Sequence, residues 1–240
     1  MHKRHANPLC TDPTWEGRAD CRHCPIRSQV LFADVPDASL DHVLVPIDNL
    51  RYAHKAVIYA VNDPARALYT IRRGAVKLQQ TLVNGVIRVV RVLKIGDVFG
   101  LEGLLDHPYA HTAVALHALD LCSIPIEVVH SLNGSESPLY VELMKRWQRN
   151  LDQADDFITQ LSTGTSKVRV ARLLLLLDGQ AGVPQGTPLC REDMGEILGI
   201  TTETASRIVA GFKRCGIVRE VDGVLYYSDP AALQRLADGE

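Results

Sequence analysis

Residues 189–220 have the sequence LCREDMGEILGITTETASRIVAGFKRCGIVRE. A first helix is predicted from Arg191, because two acidic residues occupy its first turn and apolar residues then recur at spacings of three and four. Gly199 follows the last of these residues, at a position where helices commonly end. A second helix is predicted over residues 202–213, with a cap from the pair Thr201-Thr202. Two short helices joined by Gly-Ile-Thr predict a helix-turn-helix.

The outward face of the second predicted helix carries side chains that suit DNA. Glutamate can accept from cytosine N4, arginine can donate to guanine O6 and N7, and serine can contact either base or phosphate. The inward face is apolar and comprises Ala205, Ile208, Val209 and Phe212. The alternative is a plain helical hairpin with a solvated polar face. The residues predicted to contact DNA are Thr202, Glu203, Thr204, Ser206, Arg207 and Lys213.

Composition limits the class of protein and of partner. The 240 residues, 46% of them apolar, suffice for one large domain or two small ones. A net charge of −2 gives no bulk attraction to nucleic acid, but residues 201–219 contain four basic side chains and one acidic side chain. This local charge predicts a focused DNA contact. No apolar run approaches the roughly 20 residues of a membrane span, and the N-terminus lacks the apolar core of a signal peptide, so we expect a soluble cytoplasmic protein.

Residues 40–125 predict a β domain. Short segments rich in β-branched and apolar residues are separated by turn-forming pairs, among which Asn84-Gly85 is a strong hairpin signal. Short strands with turns about every ten residues are typical of a jelly roll or barrel. The clearest strand candidates are residues 57–60, 67–71, 75–79 and 86–93.

Residues 140–161 predict one long helix with an apolar seam. Apolar residues recur at steps of four and three through three heptads, which is typical of a coiled coil. Pairing with a second copy predicts a parallel homodimer, and the alternative is a helix packed on its own β domain. Asp152, Asp155 and Asp156 stand beside the seam, so repulsion between copies predicts a marginal dimer. The predicted dimerisation residues are Met144, Trp147, Leu151, Ala154, Ile158 and Leu161.

The chain divides into four predicted regions. Residues 1–27 show no periodicity and are predicted to form a cysteine-containing arm without a packed element, and a β-roll sensor domain spans residues 28–135. The dimerisation helix spans residues 136–163 and ends at a Ser/Thr/Gly hinge. A winged helix-turn-helix spans residues 164–240, with a β-hairpin wing around the turn Asp222-Gly223 and a short final helix.

Cysteine usage points to metal or redox chemistry. Six cysteines in a cytosolic protein favour metal ligation or redox function over structural disulfides. Cys21-Arg-His-Cys24 is a C-x-x-C pair, which can present two thiolates to one metal centre, whereas a [4Fe–4S] cluster needs four. The open alternatives are a Zn²⁺ site, a heme–thiolate site, a redox dithiol at Cys21 and Cys24, or a surface C-x-x-C pair without a function. Cys190 and Cys215 are predicted to be small buried hydrophobic residues.

The segment Thr202-Glu203-Thr204-Ala205-Ser206-Arg207 resembles the recognition helix of the CRP/FNR family of bacterial transcription regulators, and its Glu-x-x-Ser-Arg form is typical of the FNR branch. Residues 69–77 and Gly96-Asp97-Val98-Phe99-Gly100 resemble the cyclic-nucleotide-binding roll of that family. The resemblance covers about residues 40–228. It implies an α+β fold with an N-terminal β jelly roll, a long dimerisation helix and a C-terminal winged helix-turn-helix. It further implies a non-enzymatic dimer that binds palindromic TTGAT-like DNA sites and contacts RNA polymerase through residues 81–85.

The FNR branch also binds a [4Fe–4S] cluster through three arm cysteines and one cysteine of the sensor domain. Cys122, just before Ile124-Pro125, resembles the sensor-domain position. The arm departs from the family pattern, because Val30 stands near the place of the third arm cysteine and Cys10 lies upstream instead. The resemblance implies a cluster that responds to oxygen or nitric oxide and controls dimerisation. Its implied ligands are Cys10, Cys21, Cys24 and Cys122.

The sequence disfavours two further functions, cyclic-nucleotide binding and a cupin-like metalloenzyme. The nucleotide-binding branch places a Glu after the glycine of the G-D-x-x-G turn and an Arg-Ser pair further on. This chain has Leu101 and His111-Thr112 there, without the bidentate fork that suits a phosphate. The roll also hosts cupin-like metalloenzymes, but the scattered histidines form no clustered His-x-His with a following acid.

Overall fold

The structure is a computed structural model and describes residues 9–27, 31–32, 46–131, 138–179 and 186–239. The chain divides into two compact units. The first is drawn from residues 1–76 and 93–152, and the second from residues 77–92 and 153–240. Within the described residues, no helix is both long and apolar enough to cross a bilayer.

Antiparallel sheets form the β-rich part of the chain and confirm the predicted roll. One sheet has five strands in the order β1-β2-β9-β4-β7: β1 Thr14–Arg18, β2 Asp48–Tyr52, β4 Ala67–Arg73, β7 Val98–Phe99 and β9 Leu119–Pro125. A second sheet has four strands in the order β3-β8-β5-β6: β3 Val57–Tyr59, β5 Val76–Thr81, β6 Ile87–Leu93 and β8 Thr112–Ala115.

Successive side chains of strand β9 point to opposite faces of the five-stranded sheet. Leu121 lies beside Leu50 and Ile71 in the ladder, and all three side chains are buried. Cys122 follows Leu121 and therefore points to the opposite face, since successive side chains alternate. On that face a hydrophobic cluster contains Cys122 together with Cys21 from the arm. The arm therefore covers part of this sheet.

The arm contains a strand that the sequence did not reveal. We expected no packed element in residues 1–27, and strand β1 at Thr14–Arg18 shows that this was wrong for the described part. The strand pairs with β2, and its Trp15 indole donates to Asp48 Oδ1 at 2.9 Å. Most of its side chains are exposed, so backbone hydrogen bonds rather than an apolar face define it, and no periodicity signals it.

The long helix that the sequence predicted follows the roll, and short helices that the sequence did not predict precede it. A 3-10 helix spans Leu101–Leu105, α1 spans Ile126–Ser131 and α2 spans Pro138–Asp156. The last turn of the long helix, Phe157–Leu161, is π-helical. Within the first unit, buried Arg146 pairs with Glu142 at 2.6 Å and donates to the carbonyl of Gly96 at 3.2 Å.

The C-terminal part is a winged helix-turn-helix, as predicted. Its elements are α3 Ser166–Leu176, β10 Gly186–Thr187, α4 Arg191–Leu198, α5 Thr202–Arg214, β11 Val218–Val221, β12 Val224–Tyr227 and α6 Pro230–Asp238. Three of the strands form a small sheet in the order β10-β12-β11. Asp222 and Gly223 both have positive φ in the two-residue loop of the wing, the combination that a type I′ hairpin turn requires.

The predicted turn at Asn84-Gly85 is also present. It joins β5 to β6, and the Gly85 amide donates to the carbonyl of Leu82 at 2.8 Å. Only Gly85 of the pair has positive φ, so the turn is not type I′, and the loop runs over residues 82–86 between the two strands. We refer to residues 77–92 as the β5–β6 hairpin, which belongs to the same compact unit as the winged helix-turn-helix.

Candidate functional site

The turn between α4 and α5 is set by two glycines and a cap. Gly199 ends α4 with φ of 62°, a conformation that favours glycine. The Thr201 hydroxyl accepts from the Thr204 amide at 3.1 Å and caps α5. Gly195 lies where a Cβ would approach the carbonyl oxygen of Ile200 to 2.8 Å, so a side chain there would push the two helices apart. Sequence patterns drew no attention to Gly195, although a glycine inside a helix signals close packing.

Helix α5 presents the predicted polar face to solvent. Ala205, Val209 and Phe212 are buried, while Ile208 is half-buried. Thr202, Glu203, Ser206, Arg207 and Lys213 are exposed. Thr204 is half-buried and hydrogen-bonded through its hydroxyl to Thr201 at 2.9 Å, which makes it part of the cap. The residues suited to base contacts thus lie near the N-terminal end of an exposed helix face, as DNA recognition requires.

An ion-pair network joins this helix to the wing. Glu220 of β11 accepts from Lys213 at 3.0 Å and from Arg191 at 2.8 Å. Burial alone would raise the pKa of Glu220, but these two cations lower it below its usual value. The Arg219 guanidinium lies 4.5 Å above the Tyr226 ring, a cation–π contact within the wing. Glu220 therefore partly neutralises Lys213. It lies just outside residues 201–219, over which the local charge was counted.

The long helix α2 carries apolar side chains on its surface. Met144 and Leu151 are about half exposed, and Ile158, in the π-helical turn, is 60% exposed. Trp147 packs against the core cluster, Ala154 is half-buried and Leu161 is buried. Asp152, Asp155 and Asp156 are exposed beside this seam. Half of the predicted seam is therefore available to a partner, and the other half contributes to packing within the chain.

Three of the four candidate ligand cysteines lie near one another. Burial raises the pKa of Cys21 to about 11 and that of Cys122 to about 12. Repulsion from Cys24 raises the pKa of both thiols further, and Arg72 lowers it for both. A bound cation would reverse that repulsion, so the donor set suits a thiolate-bound centre. We call Cys21, Cys24 and Cys122 the cysteine trio.

Cys10 lies in a different environment. Its thiol donates to Asp63 Oδ2 at 3.4 Å, and burial together with this carboxylate raises its pKa to about 11. Across the described part of the chain, the four cysteines join no group of three ligand atoms within 4.8 Å, the spacing needed to share one ion. Four-thiolate ligation by Cys10 and the trio would require Cys10 to leave Asp63. Val30, where the family pattern differs, lies outside the described residues.

The remaining cysteines differ from their predicted roles. Cys215 is exposed, so its assignment as a buried hydrophobic residue was wrong. It follows the last turn of α5, where the side chain faces solvent. Cys190 is half-buried and is the N-cap of α4, accepting from the Asp193 amide and donating to Asp193 Oδ2 at 3.0 Å. Its polar contacts replace the predicted apolar role.

Leu101 has an apolar environment at the place where the nucleotide-binding branch has a glutamate. Its side chain is buried in the same cluster as Cys21 and Cys122. It therefore packs within the protein and offers no hydrogen bond to a ribose.

A winged helix-turn-helix with an exposed polar second helix is an arrangement that enters the major groove of DNA. Residues 49–133 match the cyclic nucleotide-binding domain, and residues 168–236 match the Crp-like helix-turn-helix domain. The chain belongs to the CRP/FNR family, whose members are transcription regulators rather than enzymes. The family resemblance inferred from the sequence is confirmed, and the cupin-like enzyme is not supported.

Individual relatives are similar over most of their length. The chain is 25% identical to the fumarate and nitrate reduction regulatory protein of Escherichia coli K12 over 228 residues, which cover 90% of each chain. It is 25% identical to the transcriptional regulatory protein btr of Bordetella pertussis over 211 residues, covering 77% of this chain and 87% of that one. The structure of FixK2 from Bradyrhizobium japonicum matches with a TM-score of 0.69 and 26% identity, covering 80% and 98% of the two chains.

Proposed function

We propose that this regulator binds palindromic DNA with TTGAT-like half-sites as a homodimer, in the cytoplasm, and that a redox or gas signal at its cysteines controls binding. The observation that carries the DNA part is the capped, exposed N-terminal half of α5. It presents Glu203, Ser206 and Arg207 together on one solvent-exposed face. Relatives named anaerobic regulatory protein and fumarate and nitrate reduction regulatory protein support the same assignment.

Each residue of the exposed face has a chemical role in this proposal. Arg207 donates two hydrogen bonds to a guanine, Glu203 accepts from a cytosine N4, and Ser206 contacts a base or phosphate. Thr202 at the helix start and Lys213 at its end contact phosphates, which position the helix without specifying sequence. Thr204 supports the cap. Two such helices about 34 Å apart read the two halves of a palindrome.

Dimerisation would use the surface of α2. The exposed apolar side chains Met144, Leu151 and Ile158 recur every seven residues, the spacing of a coiled-coil seam. Trp147, Ala154 and Leu161 complete the predicted seam from more buried positions. The exposed acids beside it would repel their copies, so that the dimer is weak without its signal.

For the signal we propose a [4Fe–4S] cluster held by the cysteine trio and by Cys10. When bound, such a cluster supplies an oxidation-sensitive centre whose loss reports oxygen or nitric oxide. The chain contributes two buried thiols, Cys21 and Cys122, and the half-buried thiol of Cys24, with Arg72 as a nearby cation. Cys10 has to exchange its hydrogen bond with Asp63 for ligation, which makes it the labile fourth ligand.

A thiol-based signal without a cluster is the second candidate. The hydrogen bond that holds Cys10 on Asp63 favours it, since Cys21 and Cys24 alone can form the redox pair. A heme–thiolate centre draws on the same cysteines. Contact with RNA polymerase through the exposed tip of the β5–β6 hairpin is a further part of the proposal, supported by the full exposure of Val83.

Anaerobic purification tests the proposal. We expect a brown protein with iron and sulfide near four each per chain, bound to a TTGAT palindrome more tightly before exposure to air than after it. A colourless, iron-free protein that binds equally in air would reject the cluster and leave the regulator. A Soret band would indicate heme.

Arg207→Ala provides the control for DNA binding. We expect it to weaken binding to the palindrome by about 1–3 kcal/mol and to leave binding to unrelated DNA nearly unchanged. Equal loss on both DNAs would contradict base recognition by Arg207.

A further inference from the structure

The β5–β6 hairpin is fastened to the first helix of the helix-turn-helix by a buried lysine. Lys77 Nζ lies 2.7 Å from Asp193 Oδ1 and also forms an ion pair with Glu196. The side chains of Lys77 and Asp193 are 5% and 2% exposed. An ammonium group is buried only where partners compensate the loss of water, so this contact fixes the hairpin on α4.

A second cation of the same hairpin covers the turn. The Arg88 guanidinium packs on Gly199, where a Cβ would lie only 2.4 Å from Arg88 Nη1. A groove of about 650 Å³ lies here, and its walls include residues 86–88 of the hairpin and Thr201 and Thr202 of the turn. The hairpin therefore occupies the space beside the start of the recognition helix α5.

DNA binding and this contact compete for the same place. The N-terminal residues of a recognition helix enter the major groove, so the turn before them must approach the sugar-phosphate backbone. Thr201 and Thr202 are themselves exposed, but the hairpin forms the facing wall of the groove beside them and occupies the space through which the backbone would approach. Resting on the proposed DNA-binding function, we propose that the β5–β6 hairpin is an autoinhibitory latch, closed by Lys77 on Asp193 and Glu196 and released when the regulator binds DNA.

The chemistry of the contact suits a latch that opens. A buried ion pair is seldom more stable than a well-packed apolar contact, because its charges regain water when they separate. Asp193 keeps a partner after release, since the Cys190 thiol donates to its second oxygen at 3.0 Å. Glu196 is already 37% exposed. After opening, Asp193 therefore keeps a hydrogen-bond partner and Glu196 is in contact with solvent.

Lys77→Met is the variant that opens the latch. It removes the charge and keeps a long side chain, so we expect apo-protein to bind the palindrome about tenfold more tightly than wild type. The substitution removes a positive charge, which by itself would weaken DNA binding, so charge alone cannot produce the expected result. Lys145→Met is the matched control, because Lys145 is 62% exposed and its ion pair is with Glu142 on the neighbouring turn of its own helix. Amide hydrogen exchange in residues 77–92 should rise in Lys77→Met and stay unchanged in the control.

The opposite experiment keeps the latch closed. A zero-length carbodiimide joins the Lys77 amine to the Glu196 carboxylate as an amide, which mass spectrometry locates. We expect the cross-linked fraction to lose binding to the palindrome, and Lys77→Met treated alike to retain it. Palindrome binding by the cross-linked fraction equal to that of untreated protein would overturn the latch, as would faster hairpin exchange in Lys77→Met without tighter binding. Absence of sequence-specific binding in every form, wild type included, would instead reject the proposed function and the latch with it.

Discussion

Lys213 Nζ lies 3.0 Å from Glu220 Oε2, and the same oxygen accepts from Arg191 at 2.8 Å. The recognition helix, the first helix of the motif and the wing are thereby joined through one carboxylate. Lys213 is 45% exposed, so the pair lies at the edge of the surface proposed to face DNA. Glu220 consequently limits how much positive charge that surface presents.

Glu220→Gln should strengthen DNA binding. The substitution frees Lys213 and Arg191 to contact phosphates, so we expect tighter non-specific binding and a salt dependence steeper by about one counterion. Fluorescence anisotropy over a salt series measures both. Asp106→Asn removes the same charge from the exposed end of the 3-10 helix, in a left-handed conformation that asparagine tolerates, and should change neither quantity. An unchanged salt slope in Glu220→Gln would contradict the restraint on Lys213.

The same carboxylate predicts a pH dependence of stability. Its pKa is lowered in the folded protein, so its ion pairs stabilise the fold above the unfolded pKa of about 4.3 and lose that contribution as pH falls through the folded value. We expect wild type to be more stable than Glu220→Gln at pH 7, with the difference vanishing in acid. Urea unfolding at several pH values measures it. If wild type is still more stable than Glu220→Gln below the folded pKa of Glu220, the stabilisation does not come from its ion pairs.

The contribution of the Thr201 cap to the stability of the recognition helix should be measurable by itself. Thr201→Ala removes the hydroxyl that accepts from the Thr204 amide, and we expect a loss of about 1 kcal/mol in the free energy of unfolding. Thr201→Ser keeps the oxygen and should behave nearly as wild type. Equal destabilisation by both substitutions would mean that the threonine methyl group, rather than the cap, matters.

The helix-turn-helix could be predicted because its signals are local. The acidic first turn of α4, the left-handed Gly199 and the Thr201 cap each act within a few residues, and each lies where the sequence indicated. The wing follows the same logic, since Asp222 and Gly223 adopt the positive φ values of a two-residue hairpin loop. Such features need no knowledge of distant contacts.

Other features depend on partners that the sequence pattern does not identify. Strand β1 is defined by backbone pairing with β2 and has no apolar face of its own. Lys77 appears as an ordinary polar residue of a strand, and only the folded chain brings it to Asp193, 116 residues away. The exposure of Cys215 and the capping role of Cys190 likewise follow from packing around each thiol.

The proposed dimer seam can be tested at positions that do not hold the monomer together. Leu151 is 55% exposed, so Leu151→Asp should leave the fold intact and raise the dimer dissociation constant about tenfold. Leu105→Asp alters an equally exposed leucine outside the helix and should leave dimerisation unchanged. Asp155→Ala should act in the opposite direction and strengthen apo-protein dimers about twofold by removing a like-charge contact. Sedimentation equilibrium distinguishes these outcomes, and unchanged dimerisation in Asp155→Ala would show that the acids do not weaken the dimer.

The hydrogen bond between Cys10 and Asp63 predicts a slow thiol that one substitution accelerates. Burial and the Asp63 carboxylate hold the pKa of Cys10 near 11, so little of its reactive thiolate exists at pH 8. Asp63→Asn removes the negative charge and keeps a side-chain oxygen. That oxygen can still accept the hydrogen bond that the Ala60 amide donates to Asp63 Oδ2 at 2.9 Å. We expect iodoacetamide to modify Cys10 of iron-free protein roughly tenfold faster in the variant, because a lower pKa raises the thiolate fraction. Mass spectrometry follows each site separately, and exposed Cys215 should react at the same rate in both proteins. If Cys10 reacts as fast in wild type as in Asp63→Asn, the thiol is not restrained by Asp63 and is free to reach the cysteine trio.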